Sequence, residues 1–225
     1  MPQTGSLSNV LVFTRTAGYR HDSIPAGRAA LCEMGAEHGF SVEASEDPSV
    51  FTDASLAGRS AVVFLSTSGD VLTPGGRAAL RRFVSADGGF MGIHSAACTE
   101  YDWPYFGDLL GARFAGHPAL QPGTVIVEDQ THPATAHLPQ RWEWYDEWYD
   151  FRANPRSGAH ILATVDEADY EGGRMGADHP LAWSKEFGGG RSFYTALGHA
   201  DAAYSDAAFR GHLLGGLRWA AGTTD

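Results

Sequence analysis

Three short apolar runs constrain this chain more than any other feature: "NVLVFT" from Asn9, "AVVFLS" from Ala61 and "GFMGI" from Gly89. Each has the length of a strand and no polar alternation, so each reads as a strand buried on both faces. "FSVEAS" alternates and reads as a further strand. Helical segments lie between them. Ser23 caps and Pro25 opens "AGRAALCEMGAEHG", which carries Ala30, Leu31, Met34 and His38 near one stripe. Thr73 and Pro74 open "PGGRAALRRFVSADG". Strand and helix in alternation predict a mostly parallel sheet covered by helices on both faces, a three-layer α/β/α sandwich.

The second half is less regular. "YDWPYFGDLLGARF" holds a short helix, and "GTVIVED" and "HILATV" read as strands. "HPLAWSKEFGGGRSFYTAL" reads as a hairpin turning near Gly188 to Gly190. "SDAAFRGHLLGGLRWAAG" is a closing amphipathic helix capped by Ser205 or Asp206. The 225 residues contain neither a repeat nor a linker, and 43% are apolar, enough for one core. A single domain over residues 1–225 is expected.

Acidic residues outnumber basic ones 27 to 16, a formal charge of −11 that repels phosphate backbones. Nucleic acid and anionic membranes are therefore unfavourable partners, and a neutral small molecule is favoured. No apolar run is long enough to span a bilayer, and "MPQTGSLSNVLVFTRTAGYRH" lacks the pattern of a secretory leader. Two distant cysteines, Cys32 and Cys98, exclude a disulfide framework. A cytoplasmic location is the resulting expectation. Oligomeric state is left open, with a homo-oligomer allowed.

Ten histidines are many for this length. In open α/β sheets ligands bind outside the carboxyl ends of the strands. His21 follows the first strand, His94 sits at the turn after "GFMGI", and His199 follows the late hairpin. The three converge if their strands share a direction, which the sequence does not fix for the hairpin. In "GIHSA" small residues let the chain turn sharply, as at a nucleophile elbow, and expose the apex residue. A histidine there serves as general base, general acid or metal ligand. Ser95 lies beside the apex rather than on it, so a serine hydrolase ranks last. Cys98, four residues on, reads as a buried structural thiol.

"TAGYRHDSI" offers Tyr19 and His21 before a helix, either to contact a hydroxyl-rich ligand or simply to cap that helix. His117 precedes Pro118 and is kept as a candidate, whereas His132, His137 and His179 read as structural. "EWYDEWYDF" sets aromatics beside carboxylates, a pairing suited to sugar faces and hydroxyls. As an edge strand it would place Trp144, Asp146 and Trp148 on one face and Tyr145, Glu147 and Tyr149 on the other. Whether Asp146 or Glu147 faces the cleft stays open.

"TAGYRHDSIPAG", "GGFMGIHSAACTEYDWPYFGDLLGARFAGHP", "HPATAHLPQRWEWYDEWYDF" and "GGGRSFYTALGHADAAYSDAAFRGHLLGGLRWAAG" together resemble the ThuA-like, or trehalose-utilisation, family from about Asn9 to Gly222. The resemblance implies a fold similar to class I glutamine amidotransferases, a flavodoxin-like sheet whose elbow carries a Cys and whose late loop carries a His. Here His94 stands at the elbow, which rules out glutaminase chemistry, and His199 falls where the late His would be. Family members usually carry an acidic residue where this chain has Cys98. The resemblance also implies a disaccharide or 3-keto-glycoside substrate and a sugar oxidoreductase acting in the same pathway. His94, His199 and Glu147 are then the expected catalytic and metal-ligating set. Tyr19, His21, His117 and Tyr149 are the expected substrate contacts. The expected cofactor is a divalent ion, zinc or manganese, with no nucleotide. A non-catalytic sugar-binding or regulatory module is the alternative.

Overall fold

The computed structural model describes residues 7–223. The first six residues of the stretch read for a leader, and the last two of the expected domain, lie outside them. The elements run β1 (Asn9–Phe13), α1 (Ile24–His38), β2 (Ser41–Ser45), α2 (Asp53–Leu56), β3 (Ala61–Leu65), α3 (Pro74–Ser85) and β4 (Gly89–Ile93). They continue with α4 (Pro104–Leu110), β5 (Gln121–Val127), β6 (Arg141–Asp146), β7 (His160–Val165), β8 (Pro180–Phe187), β9 (Gly190–Thr195) and α5 (Ala207–Ala220).

All nine strands form one sheet in the order β2-β1-β3-β4-β9-β8-β7-β5-β6. The first five are parallel neighbours. The remaining four pairings are antiparallel, so only β8 and β5 run against the rest. The apolar runs are buried along their whole length in β3 and β4, as strands covered on both faces require. On one face Phe64 and Phe90 pack on Phe106 of α4. On the other, Phe193 of β9 packs on His212 of α5. The mostly parallel, three-layer expectation holds, with an antiparallel extension that the first half of the sequence does not foreshadow. No helix among the described residues is long and apolar enough to cross a membrane.

The structure fixes the direction of the hairpin. β9 is parallel to β4, so the carboxyl ends of β1, β4 and β9 share one edge of the sheet. Several local expectations change. Ser23 precedes α1 without capping it, and its hydroxyl donates to the Gly198 carbonyl at 3.3 Å. His38 is exposed in the last turn of α1 rather than on the buried stripe. The elbow leads into a 3₁₀ turn, His94–Ala97, rather than an α-helix. Asp206, not Ser205, caps α5 by accepting the Phe209 N–H. Strand alternation in "EWYDEWYDF" ends at Asp146, and Trp148 and Tyr149 are both buried.

Candidate functional site

His94 occupies the left-handed region, φ 50°, at the end of β4. Such a conformation is costly for a residue with a Cβ and persists only where the surroundings enforce it. Here Nδ1 of His94 lies 2.6 Å from the carbonyl oxygen of Ala196, just past β9. A carbonyl only accepts, so Nδ1 carries the proton and Nε2 presents its lone pair to the cleft. The Tyr149 hydroxyl donates to that Nε2 at 2.9 Å. Nε2 of His21 lies 3.1 Å from the same atom, while Nδ1 of His21 meets the Ser95 hydroxyl at 3.2 Å. Burial, then the neighbouring His94 and His199, press the His21 pKa down to about 3, so the ring is neutral at pH 7.

Glu147 completes the group from the end of β6. Its Oε2 is 3.1 Å from Nδ1 of His199 and 3.6 Å from Nε2 of His94, and its Oε1 is 3.6 Å from Nδ1 of His117. Burial disfavours its charge. Hydrogen bonding and charge from His199 and His94, with the charge of His117, outweigh that and hold the carboxyl well below the usual range. Hydrogen bonding to Glu147 correspondingly raises the His199 pKa, against the opposing effect of burial. The His199–Glu147 contact is close but out of line, which leaves Nδ1 of His199 a buried nitrogen without a hydrogen-bond partner.

One ligand atom each from His21, His94, Glu147 and His199 falls within 4.8 Å of all the others. Zinc–ligand bonds of about 2.0–2.1 Å place adjacent ligand atoms roughly 3.0–3.4 Å apart. The 3.1, 3.1 and 3.6 Å separations therefore fit a cation held between them. The partnerless His199 nitrogen is the independent sign of that fit.

The sequence-predicted residues divide as follows. The three strand-end histidines converge, with ring centroids 4.6 to 5.5 Å apart. His21 stands in the ligand group itself rather than at its margin. Tyr19, 69% exposed, sets its ring edge-to-face on His21 at 4.8 Å and forms part of the mouth. Tyr149 is only 2% exposed, and its hydroxyl is engaged by His94. His117 lies beside Glu147, with its Nδ1–H donated to the Pro118 carbonyl at 2.7 Å. Glu147, not Asp146, faces the cluster. Asp146 is buried behind it and accepts the backbone N–H groups of Gly198 and His199. The pattern of alternating aromatics and acids gave no hint of that role.

The histidines read as structural have structural partners. His132 Nδ1 accepts the Ala134 N–H, and His137 Nε2 lies 2.8 Å from the Ala208 carbonyl. His179 Nε2–H donates to the Tyr149 carbonyl at 2.9 Å, while its Nδ1 meets Glu167 at 2.7 Å and Tyr170 at 2.8 Å. With Asp150 these form a second grouping of ligand-type atoms. Its 2.7 Å nitrogen–oxygen contact is that of a shared proton, shorter than neighbouring ligands around a cation allow. Burial pushes the Cys98 thiol up to about 12, as befits an inert thiol. A cavity of about 1150 Å³ lies away from the cluster, lined by Ser60, Gly88 and Gly190 at the amino ends of β3, β4 and β9. Its charged groups include the Arg82–Asp53 pair, and no histidine reaches it.

The fold is shared by solved structures. A ThuA-like protein from Bacteroides uniformis is 22% identical, covers 95% of this chain and 91% of its own, and superposes with a TM-score of 0.80. A ThuA-like protein from Parabacteroides merdae is 21% identical, with coverages of 96% and 90% and a TM-score of 0.78. A cytoplasmic protein from Salmonella typhimurium, 11% identical, shares the fold over 95% of this chain and 99% of its own at a TM-score of 0.66. No curated protein matches the chain. The family profile described as ThuA, trehalose utilisation, matches residues 9–220, and the chain belongs to that family.

Proposed function

We propose that this protein acts on a carbohydrate, a disaccharide or 3-keto-glycoside, with a divalent cation held by His21, His94, His199 and Glu147. The observation that carries the reading is the meeting of three imidazole nitrogens and a carboxylate at strand ends, one of those nitrogens buried without a partner. The family's description as trehalose utilisation supports the sugar. The cation, zinc or manganese, supplies Lewis acidity to a keto oxygen.

The chain's own residues do the rest. The exposed ring of Tyr19 offers an apolar face to a pyranose at the mouth. His117 donates Nδ1–H to Pro118, so its Nε2 holds a lone pair and serves as the base for a carbon-bound proton. A keto group at C3 acidifies the proton at C2, and its removal begins elimination, isomerisation or hydrolysis of the glycoside. An oxidation at C3, by a sugar oxidoreductase, is the class of reaction that must supply such a substrate. The Salmonella neighbour, described as cytoplasmic, supports action inside the cell.

The test combines metal content with turnover. Protein loaded with zinc or manganese, wild type beside His94→Ala, is analysed for bound metal and incubated with 3-ketotrehalose and with trehalose. Near-stoichiometric metal and loss of the keto sugar, both abolished in the variant, support the reading. Sugar binding without turnover makes the chain a binding module and sinks the catalytic reading. Absence of metal after loading sinks the cation.

A further inference from the structure

Asp146 is 1% exposed, and no basic side chain among the described residues pairs with it. A buried carboxylate survives ionised only if its lone pairs are taken by donors. Four donors do this. Oδ2 accepts the Trp144 indole N–H at 2.9 Å and the Gly198 N–H at 2.8 Å. Oδ1 accepts the Glu147 N–H at 2.9 Å and the His199 N–H at 3.1 Å. A carboxylate offers about four such positions, so this one is full.

Two of those donors are the backbone N–H groups of Glu147 and His199, whose side chains meet at 3.1 Å in the cluster. One carboxylate thus ties the end of β6 to the loop after β9. The far side of that loop is tied as well. The Gly198 carbonyl accepts from Ser23 at 3.3 Å and from the Tyr204 hydroxyl at 3.1 Å. Gly198 itself sits at φ 112°, a backbone that favours glycine. Tyr204 reaches it across Gly27, where a Cβ would stand 2.8 Å from the Tyr204 ring.

We propose that Asp146 is the positioning residue of the cluster: its carboxylate sets the spacing of Glu147 and His199, and through that spacing the affinity for a divalent cation. The claim about affinity rests on the cation reading above; the claim about spacing does not. The test uses cobalt(II) as the probe, by titration and visible absorption. Asp146→Asn keeps the volume, but whichever way its amide turns, the NH₂ faces two N–H donors. Trp144→Phe is the control, since it removes one donor and leaves all three backbone ties.

Asp146→Asn is expected to weaken cobalt binding by about 10–100-fold, the usual cost of losing an outer partner of a ligand, and to shift the absorption bands. Trp144→Phe is expected to leave both within about twofold. In metal-free protein, hydrogen exchange at the Gly198 and His199 amides should accelerate in Asp146→Asn and not in Trp144→Phe. Equal cobalt affinity and spectrum in Asp146→Asn and wild type, or equal damage from Trp144→Phe, overturns the proposal. If wild type takes up no cobalt, the cation reading fails and the exchange measurement decides the spacing claim alone, with unchanged exchange overturning it. Should Asp146→Asn not fold, Asp146→Ser, which leaves room for water at the N–H groups, replaces it in each measurement, with the same outcomes supporting or overturning the proposal.

Discussion

Nε2 of His21 and Nε2 of His94 stand 3.1 Å apart with at most one proton to share. His94 has committed its proton to the Ala196 carbonyl through Nδ1. His21 is neutral at pH 7 and places its single proton either toward His94 or toward Ser95. In the second case two lone pairs face one another across the cleft, an arrangement that a cation relieves. His21→Ala is therefore expected to weaken zinc binding by more than the roughly 10–100-fold typical of an outer partner, since a ligand itself is lost. Isothermal titration calorimetry checks this. Unchanged affinity removes His21 from the ligand group and returns it to contacting substrate hydroxyls.

Tyr149 competes with a cation for the same lone pair. Burial holds its phenol protonated, so the hydroxyl donates to Nε2 of His94. Tyr149→Phe keeps the ring against His94 and removes that donor. Zinc affinity should rise a few-fold, while stability falls by about 1 kcal/mol for the lost hydrogen bond. A competition titration and a thermal melt measure the two. A fall in affinity would instead make the hydroxyl an orienting partner of the His94 ring.

The parallel half of the sheet and two strand-end histidines were legible because their cause is local. An unbroken apolar run marks a strand covered on both faces, as in Ala61–Leu65 and Gly89–Ile93. The residue just beyond such a strand lies at the ligand-binding edge. His199 depended on the direction of β9, which parallel pairing with β4 decides and which its own residues do not encode. Glu147 and Asp146 were undecided for a related reason. Strand alternation assigns them opposite faces, but the strand ends at Asp146 and the next peptide turns, so the period fails where it was needed. The role of Asp146 rests on bonds to residues more than fifty positions away, beyond the reach of any periodicity.

The two thiols should differ sharply in reactivity. Cys32 is exposed on α1. Cys98 is pushed up to about 12 by burial, with only partial relief from Tyr101. At pH 8 a thiol of that pKa is ionised to roughly one part in 10⁴, and the thiolate is the reactive form. Native protein treated with iodoacetamide should gain one adduct, on Cys32, and a second only in denaturant. Peptide mass spectrometry reads the outcome. Rapid modification of Cys98 in the folded chain would mean that its surroundings are more open than the structure has them.

Two histidines far from the cluster should make the fold acid-sensitive. Burial lowers His212 to about 4, although the hydrogen bond to the Ala134 carbonyl offsets part of the effect. Burial likewise lowers His132 to about 4, with partial relief from Asp129. Unfolded histidine titrates near 6.5, so between about pH 6.5 and 4 the unfolded chain binds more protons than the native one. Stability from these groups is complete above about pH 6.5 and is lost as the pH falls toward 4. At 1.36 kcal/mol per unit the ceiling is about 3 kcal/mol for each. His212→Gln keeps a side-chain donor for the Ala134 carbonyl and cannot take up a proton. Urea unfolding of wild type and variant from pH 7.5 to 4 should show a shallower decline in the variant, whatever its stability at neutral pH. Parallel declines would mean that His212 does not resist protonation in the native protein, and that its burial against Phe193 and Phe209 does not penalise the charged ring.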